Sequence, residues 1–253
     1  MPTTEALRCV FDGETPAVHV RNYLSRSSCE QITARFLNNP ATRPRSDDVA
    51  GLVLGPSSFG RPPGDYFAEV TASRLPVEQL FHGSEETIVR ALGDIQRAVW
   101  PKVVRPALWQ GRRAGTVRAL QWLGTGRFAL EPHDDQAQLS HPALDGFEIA
   151  DVRRSIAINI YPTAGKGGGL VMYNFRPDSA ARMRLGIEHS GYPYPPEAVA
   201  EAATTTLEIR DGDMVVLDGT FVHAVQSTFG DEPRLLLNFF AGAIDERTVI
   251  TWT

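Results

Sequence analysis

Apolar residues in the first part of the chain recur every three or four positions, the spacing of helices that bury one face. Ile32 and Phe36 keep this spacing in one segment. A longer helical face consists of Ile88, Leu92, Ile95 and Val99. The pattern predicts two amphipathic helices in a helix-rich first half of the chain.

Capping residues and helix breakers set the expected ends of these helices. Ser27 or Ser28 is the predicted cap of the first helix, and Pro40 follows its predicted end. The second helix is predicted to start after Ser84. The segment Thr42–Gly64 is rich in Arg, Pro, Gly and Ser, so it is interpreted as a loop with little regular structure.

From about residue 117 the pattern changes to short apolar runs between turn residues, which is typical of strands. The predicted strands are Val117–Leu123, Arg127–Glu131, Ser155–Tyr161, Leu170–Asn174, Thr206–Arg210, Met214–Leu217, Val222–Gln226 and Leu235–Ala241. Glycine-rich turns separate several of them, as at 165–169, 211–213 and 230–233. Short strands in this number, joined by such turns, favour a closed or two-sheet all-β core.

The fold prediction is therefore a mainly β protein with packed helices: a double-stranded β-helix (jelly roll, cupin-like) with a helical N-terminal half. We expect one domain over residues 1–253, in which 1–116 form a helix-rich support and lid region and 117–253 the jelly-roll core. The excursion Pro177–Ala203 interrupts the strands, with a short helix expected after Pro195. This excursion and the segment Thr42–Gly64 are candidate lids.

Composition narrows the class of protein. The 253 residues are 42% hydrophobic and 22% charged, an ordinary balance for a globular protein. The formal net charge of −5 and the absence of basic runs give no reason to expect a nucleic-acid or membrane partner. No stretch approaches the roughly 20 apolar residues of a membrane span. Cys9 and Cys29 form no disulfide framework, and a cytoplasmic location is expected; the oligomeric state is left open.

A candidate metal site lies where one predicted strand ends. His133 and Asp135 are two residues apart, so their side chains share one face. His223 starts a later strand, which a jelly roll can return beside the first. Two histidines and one carboxylate form a facial triad with open positions, the arrangement typical of non-haem Fe(II) oxygenases. An isolated His-x-Asp also arises by chance; His141 is a rival ligand in a loop context, and Asp134 is expected to face away into solvent.

Arg234 starts an otherwise apolar strand, and a buried charge without a partner is costly. The distal carboxylate of 2-oxoglutarate is a suitable partner, because the guanidinium group matches a carboxylate with two parallel hydrogen bonds. The alternative is a surface arginine that follows the turn at 230–233.

The order His133-x-Asp135, His223 and Arg234 resembles the 2-oxoglutarate/Fe(II) oxygenase superfamily, over roughly residues 117–241. Gly168-Gly169 and the Gly-Asp turn before the His223 strand are similar to its prolyl-4-hydroxylase-like branch. The helical first half resembles the carrier-independent amino-acid hydroxylases and halogenases of that superfamily. The resemblance implies Fe(II), 2-oxoglutarate and O₂ as cofactor and co-substrates. It also implies oxidation of an unactivated C–H bond in a small polar molecule, such as a free amino acid or natural-product intermediate.

Two positions relate this chain to variants within the superfamily. The related halogenases have a small residue in place of the carboxylate ligand, whereas this chain has Asp135, so hydroxylation is expected. Desaturation, cyclisation and halogenation are the alternatives that use the same cofactors. Many relatives carry serine or threonine two residues after the arginine, and here that residue is Leu236. Asn159 and Tyr161 share one strand face and are nominated as the remaining 2-oxoglutarate contacts, although Tyr161 also suits the rim of a pocket.

Contacts to the substrate are suggested by position alone. Gln136 follows the metal motif, and Asn238 shares the face of Arg234 on its strand. Trp122 is a candidate pocket wall, although a large aromatic side chain is more often core. Arg61 or Arg74 could hold a substrate carboxylate, and both also fit a solvated role.

Two other classes of protein fit the same ligands. A non-catalytic jelly-roll protein would hold a structural metal, but a closed site needs a fourth protein ligand, usually cysteine or histidine. Neither Cys9 nor Cys29 lies in the β region. A cupin-type zinc hydrolase could use three such ligands. Arg234 argues against hydrolysis, which needs no carboxylate anchor inside the barrel.

Overall fold

The computed structural model describes residues 3–45, 49–84, 86–123, 126–229 and 234–253. The helices are α1 (Thr4–Asp12), α2 (Arg26–Leu37), α3 (Pro63–Gln79), α4 (Glu86–Val99), α5 (Ser179–Arg184) and α6 (Pro196–Val199). The first seven strands are β1 (Ala17–Val20), β2 (Arg43–Pro44), β3 (Gly51–Leu54), β4 (Val103–Pro106), β5 (Leu108–Trp109), β6 (Arg112–Arg113) and β7 (Arg118–Trp122). The others are β8 (Phe128–His133), β9 (Ile156–Thr163), β10 (Leu170–Tyr173), β11 (Thr204–Leu207), β12 (Met214–Asp218), β13 (His223–Gln226), β14 (Arg234–Ala243) and β15 (Thr248–Trp252).

The strands form two main sheets. The larger has the order β1-β12-β9-β14-β7-β3-β2, with β15 and β4 attached beside β14, and the smaller has the order β11-β10-β13-β8. The chain passes from β7 in the larger sheet to β8 in the smaller, back to β9, across to β10 and β11, and so on to β14. This alternation between two antiparallel sheets is the jelly-roll connectivity, and it confirms the predicted fold class.

Alternation along β9 shows how the layers pack. Ile156, Ile158 and Ile160 belong to the cluster that joins the larger sheet to helices α1, α2 and α4. Ala157 and Tyr161 belong to the second cluster, between the two sheets. Because side chains alternate across a strand, both faces of β9 are buried. The helices of the first half therefore cover the outer face of the larger sheet, and the space between the sheets is left for the site.

The helix starts depend on short polar side chains. Ser25 caps α2, and its hydroxyl accepts a hydrogen bond from the Ser28 backbone nitrogen at 3.1 Å. The predicted caps, Ser27 and Ser28, are wrong because they lie inside the first turn. Helix α4 ends before Pro101 and helix α6 follows Pro195, as predicted. Among the helices in the described part of the chain, none is long and apolar enough to cross a membrane.

The loop interpretation of Thr42–Gly64 is wrong in part. Strand β3 lies inside this segment and pairs antiparallel with β7, placing Gly51 opposite Trp122. The short run at 51–54 is stabilised by the neighbouring strand, which no local pattern could indicate. Helix α3 was not predicted, and β1 and β4 also bring parts of the first half into the larger sheet. Residues 46–48, 124–125 and the predicted turn at 230–233 lie outside the described residues.

Candidate active site

The three predicted metal ligands lie together at one end of the smaller sheet. His133 ends β8 and His223 begins β13, and the two residues are paired across the ladder with their ring centroids 4.1 Å apart. Asp135 follows β8, where its backbone nitrogen donates to the Gly219 carbonyl at 2.8 Å. Its Oδ2 lies 3.4 Å from His223 Nε2. The three candidate ligand atoms all lie within 4.8 Å of one another.

Backbone carbonyls orient both imidazole rings. His133 Nδ1 lies 2.9 Å from the Glu131 carbonyl, and His223 Nδ1 lies 3.0 Å from the Phe221 carbonyl. A carbonyl only accepts, so each Nδ1 carries a proton, and in a neutral ring this leaves the lone pair of Nε2 for a metal. This is the arrangement that metal-binding histidines use.

Burial shifts the pKa values of two of the candidate ligands toward their neutral forms. It lowers the pKa of His133 well below its usual value, and the neighbouring His223 adds to this effect. Burial also raises the pKa of Asp135, which a bound cation would reverse. Gly219 is needed here for space, since a Cβ would lie 2.8 Å from the Asp135 Cβ. Two neutral imidazoles and one carboxylate on one side fit a divalent iron and leave its other side open.

Asp134 is not the solvated carboxylate that the sequence suggested. It is 2% exposed. Arg182 donates to it with Nε at 3.0 Å and Nη2 at 2.9 Å, and the Tyr194 hydroxyl donates at 2.7 Å. The backbone nitrogen atoms of Gln136 and Ala137 also donate to it. Asp134 therefore ties the excursion Pro177–Ala203 to the strand that carries the metal ligands.

Arg234 is fully buried in the larger sheet. Its Nη1 donates to the Gly168 carbonyl, while its Nε and Nη2 have no hydrogen-bond partner in the described part of the chain. A Cβ on Gly168 would lie 2.5 Å from Nη1, so the Gly-Gly turn makes room for the guanidinium. Within the described residues no carboxylate forms an ion pair with Arg234, and burial lowers its pKa. Two unpaired donors on a buried cation fit the distal carboxylate of 2-oxoglutarate.

One cavity, of about 120 Å³, connects Arg234 with the three metal ligands. Its floor is the inner face of the larger sheet, where neighbouring strands place their side chains in rows. In one row Trp122 lies opposite Arg234, and two residues further along, Leu120 lies opposite Leu236. In the next row Arg118 lies opposite Asn238, which in turn lies opposite Asn159.

A chain of hydrogen bonds runs along the third row. Arg118 Nε donates to the Asn238 Oδ1 at 2.9 Å, and Asn238 Nδ2 donates to the Asn159 Oδ1 at 2.8 Å. Tyr161 is the next residue on the same face of β9 as Asn159. The centroid of its ring lies 5.5 Å from the Arg234 Cζ. Burial raises the pKa of the Tyr161 hydroxyl, while the charge of Arg234 acts in the opposite direction.

The other nominated residues are placed differently. The Gln136 side chain is occupied by backbone groups: its Oε1 accepts from Ser155 at 2.8 Å and its Nε2 donates to Val152 at 3.2 Å. This geometry indicates that Gln136 holds the loop in place and does not contact a substrate. Arg74 is exposed and pairs with Glu78 on its own helix. Arg61 forms an ion pair with Glu69 and does not line the cavity.

Both candidate lids contribute to the cavity wall. The segment Thr42–Gly64 supplies Arg45, Val49, Ser57 and Phe59, and the excursion Pro177–Ala203 supplies Ser190 and Tyr192. Arg118 also lines the cavity, and the sequence reasoning missed it. Its signal was its parity with Trp122 in one strand, which places both side chains on the same face.

The comparisons with known proteins agree with this site. The model of the family described as carrier-protein-independent halogenase WelO5 matches residues 2–253. The chain belongs to this family. A curated relative, the L-isoleucine 3(1)-dioxygenase of Pantoea ananatis (strain AJ13355), is 30% identical over 247 residues, covering 92% of this chain and 82% of the relative.

Two solved structures share the fold at 13% sequence identity. One is an N-substituted L-amino acid dioxygenase from Burkholderia ambifaria AMMD, with a TM-score of 0.63 over 100% of this chain and 92% of that chain. The other is HygX from Streptomyces hygroscopicus with nickel and 2-oxoglutarate bound, with a TM-score of 0.55 over 96% and 87%. The family match confirms the resemblance to the carrier-independent hydroxylases and halogenases, and His133, Asp135 and His223 could hold the metal ion.

Proposed function

We propose that this protein hydroxylates an unactivated C–H bond in the side chain of a free aliphatic L-amino acid. The observation that carries the proposal is the juxtaposition, in one cavity, of an open His-Asp-His triad and a buried arginine with two unpaired donors. The name of the L-isoleucine dioxygenase relative supports an amino acid as the substrate.

In this proposal His133, Asp135 and His223 hold Fe(II), and Arg234 holds the distal carboxylate of 2-oxoglutarate. Tyr161 and Asn159 lie beside the co-substrate and complete its polar surroundings. With O₂, the bound iron and 2-oxoglutarate supply the oxidising chemistry and release succinate and CO₂. The protein positions the substrate and excludes water from the cavity.

Asp135 supports hydroxylation within a family that is named for a halogenase. Its carboxylate lies together with the two imidazoles. By the resemblance, halogenases have a small residue at this position, and chloride takes the place of the carboxylate. With that position filled by the protein, transfer of oxygen to the substrate is the expected outcome. Desaturation and cyclisation remain the variants that product analysis separates from hydroxylation.

Arg118 and Asn238 are the proposed anchor for the substrate carboxylate. Asn238 lies four residues after Arg234 on the same strand face, which is about 13 Å along the strand. Arg118 is close enough to Asp135 for its charge to lower the pKa of that carboxyl, against the larger effect of burial. An amino acid bound through its carboxylate at Arg118 would therefore extend its side chain toward the metal ligands.

The two candidate lids and the single-domain interpretation are part of the proposal. Strands β1, β3 and β4 come from residues 1–116 and pair with strands of 117–253 in one sheet. This sharing supports one catalytic domain over residues 1–253. The segments Thr42–Gly64 and Pro177–Ala203 both contribute wall residues to the cavity, which supports their roles as lids.

Succinate release tests the proposed function. Anaerobically prepared Fe(II) protein would be given 2-oxoglutarate and O₂ with L-isoleucine, L-leucine, L-valine, L-methionine or the corresponding amides. We expect one free aliphatic amino acid to stimulate succinate formation and to gain one oxygen atom by mass spectrometry. No succinate with any compound, together with no absorption change when 2-oxoglutarate is added anaerobically, would contradict the proposal.

Arg118→Gln should raise the Michaelis constant for the amino acid about 10- to 100-fold, the loss expected for a hydrogen bond to a charged group. The dissociation constant of 2-oxoglutarate should stay unchanged. The matched control is Arg113→Gln, at an exposed arginine on β6, which should alter neither constant. An unchanged Michaelis constant in Arg118→Gln would place the carboxylate anchor elsewhere.

A further inference from the structure

We infer that the indole N–H of Trp122 donates to the distal carboxylate of 2-oxoglutarate, in place of the hydroxyl that many relatives carry two residues after the arginine. The inference rests on the proposed function and deepens it. The sequence suggested Trp122 as a substrate contact, and the inference makes it a contact of 2-oxoglutarate instead.

The strand register brings Trp122 to Arg234. The two residues lie directly opposite each other in the antiparallel ladder of β7 and β14. Side chains opposite each other on one face have Cβ atoms about 4.5–5.5 Å apart. Both residues line the same cavity, and Trp122 is 6% exposed. An acceptor bound by Arg234 is therefore within reach of the indole of Trp122.

The hydrogen-bonding state of these residues points to a shared acceptor. The Trp122 Nε1 is buried and has no hydrogen-bond partner among the residues described, as is the case for Arg234 Nε and Nη2. Leaving a buried donor unpaired is costly, so three in adjacent residues require an explanation. One carboxylate offers about four acceptor sites and can satisfy all three.

Leu236 explains why another donor is needed. Its side chain lies one row further along β14, opposite Leu120, and both line the cavity. This row is apolar on both strands and offers no side-chain donor. The row before it contains Arg234 and Trp122, so the indole is placed to supply the missing hydrogen bond. The Arg45 guanidinium lies 4.4 Å from the Trp122 ring centroid and covers its face, which leaves the edge for hydrogen bonding.

The test is Trp122→Phe, which removes the N–H and keeps an aromatic ring. Isothermal titration of the Fe(II) protein with 2-oxoglutarate under anaerobic conditions should show a dissociation constant about 10- to 100-fold higher than wild type. Iron content and the Michaelis constant for the amino acid at saturating 2-oxoglutarate should not change.

Trp252→Phe is a matched control. The Trp252 Nε1 is also buried and without a partner in the described parts of the chain, and its ring lies 5.6 Å from that of Phe240, but Trp252 does not line the cavity. This variant should bind 2-oxoglutarate as wild type does. Equal losses in both variants would show a general effect of removing an indole and would overturn the inference.

A second measurement does not depend on the folding of a variant. The chain has four tryptophans, so the indole ¹H–¹⁵N signals of the Zn(II)-loaded wild-type protein can be followed individually. Adding 2-oxoglutarate should shift the Trp122 signal and leave the Trp252 signal in place. An unshifted Trp122 signal with 2-oxoglutarate bound overturns the inference alone, whereas failure of the wild-type protein to bind 2-oxoglutarate overturns the proposed function as well.

Discussion

Arg234→Met is expected to raise the dissociation constant of 2-oxoglutarate about 30-fold or more, because losing a buried charge-assisted pair typically costs about 2–5 kcal/mol. The same change should have little effect on the free energy of unfolding of the ligand-free protein. The guanidinium is fully buried with two unpaired nitrogen atoms, and methionine fills a similar volume without a charge to desolvate. Anaerobic titration measures the first effect, and denaturant unfolding without ligand measures the second.

Arg182→Met is the control that separates a ligand anchor from a structural arginine. Arg182 is also buried, but it already has a carboxylate partner in Asp134. Removing it leaves that carboxylate buried without its charged partner, so we expect a loss of about 3–5 kcal/mol in the free energy of unfolding. If Arg234→Met were destabilised as strongly as Arg182→Met, the cation would have a structural partner and the case for a ligand anchor would fail.

Asp135→Ala should reduce the hydroxylated product at least 100-fold, since even outer-shell partners of metal ligands typically contribute 10–100-fold. The change removes the only carboxylate of the triad, so iron content after loading should fall too. Product mass should be followed with and without chloride, because alanine gives this position the small residue that the resemblance assigns to halogenases. A chlorinated product would show that Asp135 selects between the two outcomes.

The control for this variant is Asp151→Ala, at an exposed acidic residue that ends the short helical turn Glu148–Asp151 before β9. It lowers the negative charge of the protein by the same amount and should leave iron content and product unchanged. Wild-type hydroxylation in Asp135→Ala would remove Asp135 from the metal ligands. The two variants together distinguish loss of a ligand from loss of charge.

Local patterns were sufficient for the fold class and for the order of the candidate ligands. The β alternation of residues 117–241 is read within single strands, and the spacing of His133 and Asp135 needs only the two-residue period of a strand. His223 and Arg234 were then found from their places in the same series of strands. The helix at 86–99 followed from its apolar face, which the helical repeat produces without any partner.

Predictions about the environment of individual side chains were weaker, because distant parts of the chain supply the neighbouring groups. Asp134 was expected in solvent, but Arg182 and Tyr194, from the excursion after β10, bury it. The segment that contains β3 was interpreted as a loop, yet β7 provides the hydrogen bonds that make it a strand. Gln136 was nominated for a substrate, and its amide instead holds the backbone near Ser155.

By itself, then, the sequence determined what is periodic: two helices, a two-sheet β core and the strand positions of a His-Asp-His triad and an arginine. Only the tertiary structure decided which strands are neighbours, and thereby that Trp122 lies opposite Arg234 and Arg118 opposite Asn238. The physical reason is that strand register is a non-local property, set by the packing of whole sheets. The side chains that would distinguish one substrate or co-substrate contact from another are brought together only by that register.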